Sequence, residues 1–165
     1  MILAISGTPG CGKTQTSKQL ATMLSSEHIE LTEFIKKHNV SESFDEETQS
    51  LVVDMDVLNT AITTQLATNK SYVIDGHFSH EIECIDGCII CTCDITELNK
   101  RLIERGYDEK KVRENLDSEI FQICYTESIE NGVPTSIIEC TTPVSESELE
   151  RVYKELLNLI KSAKA

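Results

Sequence analysis

Apolar residues recur in short runs separated by stretches of helical periodicity. Residues 2–6 form an apolar run that ends in a glycine-rich turn and predict a buried first strand. Good helix formers follow over 13–25, among them Lys18, Gln19, Leu20, Ala21, Met23 and Leu24. A short strand is expected at 29–31, and residues 32–53 read as mixed and acidic with no element assigned. Asp54 is placed to cap a helix to about 66, with Val57, Leu58, Ala61 and Ile62 near helical spacing. Strands are expected at 71–75, 88–95 and 135–140. One helix is predicted from Thr96 to about Arg105, and after Gly106 a second from Asp108 to about Glu130. Ser145-x-x-Glu148 is a capping box before a last helix that puts Leu149, Val152, Tyr153, Leu156 and Ile160 on one face.

Strands therefore alternate with helices along the chain. Parallel neighbours need crossover connections, so the pattern predicts an α/β fold, a parallel sheet with helices on both faces. Ligands of such sheets bind beyond the carboxyl ends of the strands, which directs attention to the loops after Ser6 and Asp75. The 165 residues fit one domain. No apolar run approaches the ~18 residues of a membrane helix, and the start, Met1-Ile2-Leu3-Ala4, lacks the basic opening of a signal peptide. Fifteen Lys and Arg against 28 Asp and Glu leave a net charge of −13. That argues against broad nucleic-acid binding, and it leaves room for nucleotides held by a few local cations or for basic partners. Seven cysteines without framework spacing read as reduced thiols.

Gly7-Thr8-Pro9-Gly10-Cys11-Gly12-Lys13-Thr14 matches G-x-x-x-x-G-K-[ST] at every fixed position, between a strand and a helix. Glycines let successive backbone N–H groups turn around a phosphate, and the helix start adds its positive end. Lys13 is then expected on the β- and γ-phosphates and the Thr14 hydroxyl on Mg²⁺. Cys11 is expected to contribute its N–H, with a redox-sensing thiol as the alternative.

Tyr72-Val73-Ile74-Asp75 delivers a carboxylate at a strand's end, where it suits the metal shell of a triphosphate. His77, two residues on, can position a water or hydroxyl for attack. His80 is read as structural, with no other ligands expected around it. Six of the 15 basic residues fall between Lys100 and Arg113, and with three acids that segment is net +3. Arg101 and Arg105 share a helix face and suit charge developing in phosphoryl transfer, and Gly106 is a candidate hinge for a lid. The bland alternative is a solvated helix with Glu97 paired to Arg101.

Residues 27–56 carry nine acids against Lys36 and Lys37, densest at Glu42 and Asp45-Glu46-Glu47. They read as a solvated surface or as a docking face for a basic protein. Cys88-x-x-Cys91-x-Cys93 has the look of a zinc cluster, but strand alternation turns Cys88 away from Cys91 and Cys93, so packing cysteines are expected.

GTPGCGKT, VIDGH and above all RLIERGYDEKKVRENLDSEIFQ resemble the adenylate kinase isoenzyme 6 family over roughly residues 2–160. The resemblance implies a P-loop NTPase fold of nucleoside-monophosphate-kinase type, one domain over 1–165. It implies a five-stranded parallel core, a monophosphate-binding arm at about 30–52 and a short lid at about 104–114. It implies transfer of the ATP γ-phosphate to AMP, giving two ADP, with Mg²⁺-dependent ATPase activity and a part in small-ribosomal-subunit maturation. ATP contacts carry over to Gly10, Cys11, Gly12, Lys13, Thr14, Gln15 and Arg105. The Asp-x-His pair carries over to Asp75 and His77, with Thr14 and Asp75 on the metal side. Substrate contacts are expected from Lys36, Lys37 and Arg101. Gln15 stands where relatives often have threonine, and Lys36 where some have arginine, which loses the bidentate fork. The implied partners are a basic small-subunit ribosomal protein and the pre-ribosome. A monomer is expected, in the cytoplasm and nucleus of a eukaryote or the cytoplasm of an archaeon.

Overall fold

A computed structural model describes residues 1–45 and 50–165. Strand β1 (Ile2–Ser6) is the centre of a five-stranded sheet, and its Leu3, Ala4 and Ile5 are fully buried. On one side lie β5 (Tyr72–Asp75) and then β2 (Glu27–Glu30), and on the other β6 (Gly87–Thr92) and then β7 (Thr135–Glu139). All four pairings are parallel, as the alternation of strands and helices requires. The register sets Asp75 level with Ile5 on one side and Glu30 on the other, so the chemistry of three strand ends meets at one edge.

Four of the helices form where the sequence pattern placed them. Helix α1 (Lys13–Met23) follows the glycine turn directly. Asp54 caps α3 (Met55–Gln65) by accepting from the N–H groups of Asp56 and Val57, and Asp94 caps α4 (Ile95–Glu104) in the same way. Ser145 accepts from the Glu148 N–H at the start of α7 (Glu146–Ala163), whose Leu149, Val152, Leu156 and Ile160 pack on the sheet. Among the described residues no helix is long and apolar enough to cross a membrane.

Two segments differ from the sequence reading. Residues 32–53 are not unstructured: they hold α2 (Leu31–His38) and an antiparallel hairpin of β3 (Ser41–Asp45) and β4 (Ser50–Val53). Leu31, Phe34 and Ile35 bury one side of α2. Of the dense acidic stretch, Glu46 and Glu47 lie outside the described residues. The helix expected over 108–130 is two, α5 (Glu109–Ile120) and α6 (Ile123–Glu130), broken where Gln122 takes a left-handed φ of 51°. The break lets the two halves serve different cores. Val112 of α5 joins the large cluster with α4 and α7, while Cys124 of α6 packs with Ala4, Cys88 and Ile90 on the opposite face of the sheet.

The cysteines follow the strand alternation. Cys91 and Cys93 enter the large core with Cys11 and Cys140, and Cys88 faces the other way beside Cys124. Burial pushes the thiols of Cys88 and Cys124 up to about 12. Cys11 and Cys140 pack directly beneath the glycine loop, against Gly7 and Gly12, in the same buried cluster as Cys91. Interaction among the three thiols raises Cys91 well above the usual thiol range and lowers Cys11 and Cys140.

Candidate active site

The loop between β1 and α1 is shaped by close approach. Gly7 has φ +138°, and a Cβ there would come within 2.3 Å of the Cys91 carbonyl oxygen. Gly12, the residue before α1, is also left-handed at φ 108°. The Thr8 hydroxyl donates to Glu119 Oε2 at 2.6 Å, and Glu119 Oε1 accepts from the Cys93 N–H at 2.8 Å. One carboxylate on α5 thus ties the loop to the end of β6. Lys13 Nζ lies back over the loop and donates to the carbonyls of Gly7 at 2.8 Å and Thr8 at 3.0 Å. An ammonium has three donors, so one remains for an anion in the loop.

Beside the loop lies a cavity of about 480 Å³. Gly10, Gly12, Lys13, Thr14 and Gln15 form one wall, Asp75 and His77 the floor, and Arg101 and Arg105 the opposite rim. Glu30 and Thr32, from the junction of β2 and α2, complete it. Nine of the residues singled out in the sequence therefore meet in one place. Arg105 closes α4, is exposed, and pairs with no carboxylate among the described residues.

Asp75 is buried at 2% exposure, and its Oδ2 accepts from Ser17 Oγ at 2.8 Å and from His28 Nε2 at 3.1 Å. His77 donates through Nδ1 to the Gly7 carbonyl at 3.2 Å, which leaves Nε2 as the acceptor. Burial pushes its pKa below the usual imidazole value, and the Gly7 hydrogen bond only partly offsets this, with the nearby Lys13 charge lowering it further. The ring is therefore neutral at pH 7.

His77 is also a wall of a second cavity of about 350 Å³, bounded by Val53, Met55, Phe78, Glu81 and Glu127. Here His80 is structural, as expected, with 1% exposure. Its Nδ1 meets Ser6 Oγ at 2.7 Å and its Nε2 meets Glu127 Oε2 at 3.0 Å. Ser6 in turn donates to the His77 carbonyl at 2.8 Å, so this chain fixes the backbone that carries the neighbouring imidazole. The expectation that no ligand type clusters around His80 is corrected, since ligand atoms of His80, Glu81 and Glu127 lie within 4.8 Å of one another. Both His80 nitrogens are engaged by protein, and burial raises the Glu81 carboxyl.

Four expected residues are placed otherwise. Cys11 is fully buried and its N–H bonds to the Thr8 carbonyl at 3.2 Å, so it closes a turn of the loop and does not face the cavity. Lys36 and Lys37 sit exposed in the last turn of α2 and line neither cavity. Arg101 reaches the rim, but its donors go to Glu97 Oε1 at 3.0 Å and to the carbonyls of Gly10, Cys140 and Thr141 at 3.4, 3.2 and 2.6 Å. It fastens the loop to the segment after β7. Three residues not anticipated, Ser17, His28 and Glu119, hold the site from behind. Ser17 lies one helical turn after Thr14 and was the readable one of the three.

A family profile described as an AAA domain matches residues 3–122. A protein of Methanocaldococcus jannaschii named "Putative adenylate kinase" is 35% identical over 164 residues, 99% of this chain and 88% of that one. The "Adenylate kinase isoenzyme 6 homolog FAP7" of Saccharomyces cerevisiae is 30% identical over 155 residues, 92% of this chain and 78% of that one. The chain belongs to the adenylate kinase isoenzyme 6 family. Among solved structures, shikimate kinases of Acinetobacter baumannii and Bacteroides thetaiotaomicron superpose with TM-scores of 0.60 and 0.59 at 17% and 15% identity. These cover 99% and 98% of this chain, and 94% and 98% of theirs. They share the P-loop kinase fold that the family membership entails.

Proposed function

We propose that this protein transfers the γ-phosphate of ATP to AMP and hydrolyses ATP when no acceptor is bound. One observation carries the reading: the glycine loop, Lys13, Asp75, His77 and Arg105 converge on a single cavity, and His77 also lines a second one. The loop amides and the third donor of Lys13 hold the β- and γ-phosphates. Arg105 stands without a carboxylate partner among the described residues, just before Gly106, and closes on the transferring group. His77 Nε2 accepts the hydrogen bond of the attacking hydroxyl or water. Arg101 shapes the rim and keeps the loop in register. Phosphoryl transfer asks mainly for positioning and charge, which is what these groups supply.

The residues fit Mg²⁺. Asp75 offers a carboxylate whose Oδ1 takes no hydrogen bond among the described residues, and the Thr14 side chain lines the same cavity. Bound there with ATP, Mg²⁺ would neutralise charge between the β- and γ-phosphates.

One observation favours a second reading, a switch in ribosome assembly that hydrolyses ATP against water. The described residues lining the second cavity include Glu81 and Glu127 but no Lys or Arg to receive a monophosphate. The net charge of −13 suits a basic partner, and the family resemblance points to a small-subunit ribosomal protein. The test supplies ATP with AMP, then ATP alone, each with and without such a protein. ADP formed in proportion to AMP consumed supports the kinase. AMP-independent phosphate release that the partner alters supports the switch. Lys13→Ala should abolish turnover in either case, and near-normal activity would refute both.

A further inference from the structure

The Asp75 carboxylate is held in an unusual way. Ser17 Oγ, His28 Nε2 and Asp75 Oδ2 lie within 3.1 Å of one another, Ser17 to Asp75 at 2.8 Å and Ser17 to His28 at 3.0 Å. Ser17 is fully buried. Its hydroxyl also lies 3.0 Å from the Thr14 carbonyl, so it touches both residues on the metal side of the site. Its Oγ–H and the ring's Nε2–H both point at one carboxylate oxygen. The other oxygen, Oδ1, has no protein donor among the described residues, and Asp75 faces the cavity. An aspartate turns readily about its last torsion, and two donors on one oxygen remove that freedom.

We infer that Ser17 and His28 are positioning residues, which fix Asp75 so that Oδ1 alone serves the metal·nucleotide complex. This rests on the nucleotide-kinase reading of the cavity. Groups one step behind a metal-side residue set its orientation and basicity, and their loss typically costs about 10–100-fold in metal affinity or activity. His28 is placed for this because β2 pairs with β5 in a register that sets it against Val73, two residues before Asp75. Ser17 is placed for it because α1 packs over the end of β5.

The experiment measures Mn²⁺ binding by electron paramagnetic resonance in the presence of ADP, and ADP binding without metal by calorimetry. The wild-type protein is compared with His28→Leu, Ser17→Ala and His28→Gln. Both His28→Leu and Ser17→Ala should weaken Mn²⁺·ADP binding by about 10-fold or more and leave metal-free ADP binding unchanged. His28→Gln keeps an N–H donor near the position of Nε2 and should restore most of the metal affinity. Wild-type affinity in both loss variants overturns the clamp and leaves the kinase reading intact. An equal fall in metal-free ADP binding also overturns it, since the pair would then be shaping the phosphate loop. Absence of Mn²⁺·ADP binding by the wild type removes the kinase reading and the clamp together.

Discussion

Replacing Glu119 by alanine removes one carboxylate that two donors share. The Thr8 hydroxyl loses its 2.6 Å partner and the Cys93 N–H its 2.8 Å partner. Hydrogen bonds to a charged group contribute about 1.5–3 kcal/mol each. Glu119 is half-buried, which favours the lower end, and two such bonds give about 3 kcal/mol. A domain of this size loses about 2–4 °C of melting temperature per kcal/mol, so the variant should melt about 6–12 °C lower. Glu119→Gln is informative because an amide has one accepting oxygen. That oxygen can accept from the Cys93 N–H while the NH₂ donates to the Thr8 hydroxyl, which can also accept, so both contacts persist without the charge and the variant should recover most of the loss. Calorimetric melts with and without ADP measure this. The loop is fastened through Thr8, so the stabilisation that ADP confers should shrink as well. A Glu119→Ala protein that melts within about 1 °C of wild type, far less than that projected loss, and is stabilised equally by ADP would show that the carboxylate does not hold the loop.

Two glycine replacements should separate sharply. At Gly7 an alanine Cβ would sit 2.3 Å from a backbone oxygen, and Gly7→Ala should not yield a cooperatively folded protein by circular dichroism. Gly106 also has a positive φ, +77°, but a Cβ there meets nothing within 4 Å, so Gly106→Ala should cost only about 1–2 kcal/mol of backbone strain in a denaturant melt. A folded Gly7→Ala protein would contradict the packing of the loop against β6. For His77, burial lowers the imidazole pKa, so the folded state favours the neutral ring. Its contribution to stability is present above the usual imidazole pKa and is lost as pH falls through the lowered folded value. Turnover should accordingly hold to below pH ~6.5 and then fall. His77→Asn, whose amide can still donate to Gly7, should lower the rate and abolish that acid limb. An unchanged limb in this variant would assign the titration elsewhere.

The first strand, glycine loop and first helix were legible because their signals are local: an apolar run, fixed glycines and a lysine. The capped helices at Asp54 and Ser145 were readable for the same reason. Helix α2 carried its signal in Leu31, Phe34 and Ile35, but eight residues without a side-chain cap give too little repetition to stand out. The break at Phe121 and Gln122 has no glycine or proline to announce it. It is imposed by packing on two faces of the sheet, which no window of sequence contains. The same holds in the site. Lys13, Asp75, His77 and Arg105 could be named from motifs, whereas His28 meets Asp75 across 47 positions and Glu119 meets Thr8 across 111. Arg101 was found by its spacing from Arg105. Its carbonyl partners come from two distant segments, which explains why its engagement was not foreseen.

The sulfurs under the glycine loop give the protein an internal clock. Cys11 and Cys91 are wholly buried and Cys140 nearly so, with the loop and β6 as their cover. An alkylating reagent reaches them only during moments when that cover lifts. The rate of labelling at these positions, set against the rate for an open thiol, therefore counts how often the nucleotide cradle comes apart in the native protein.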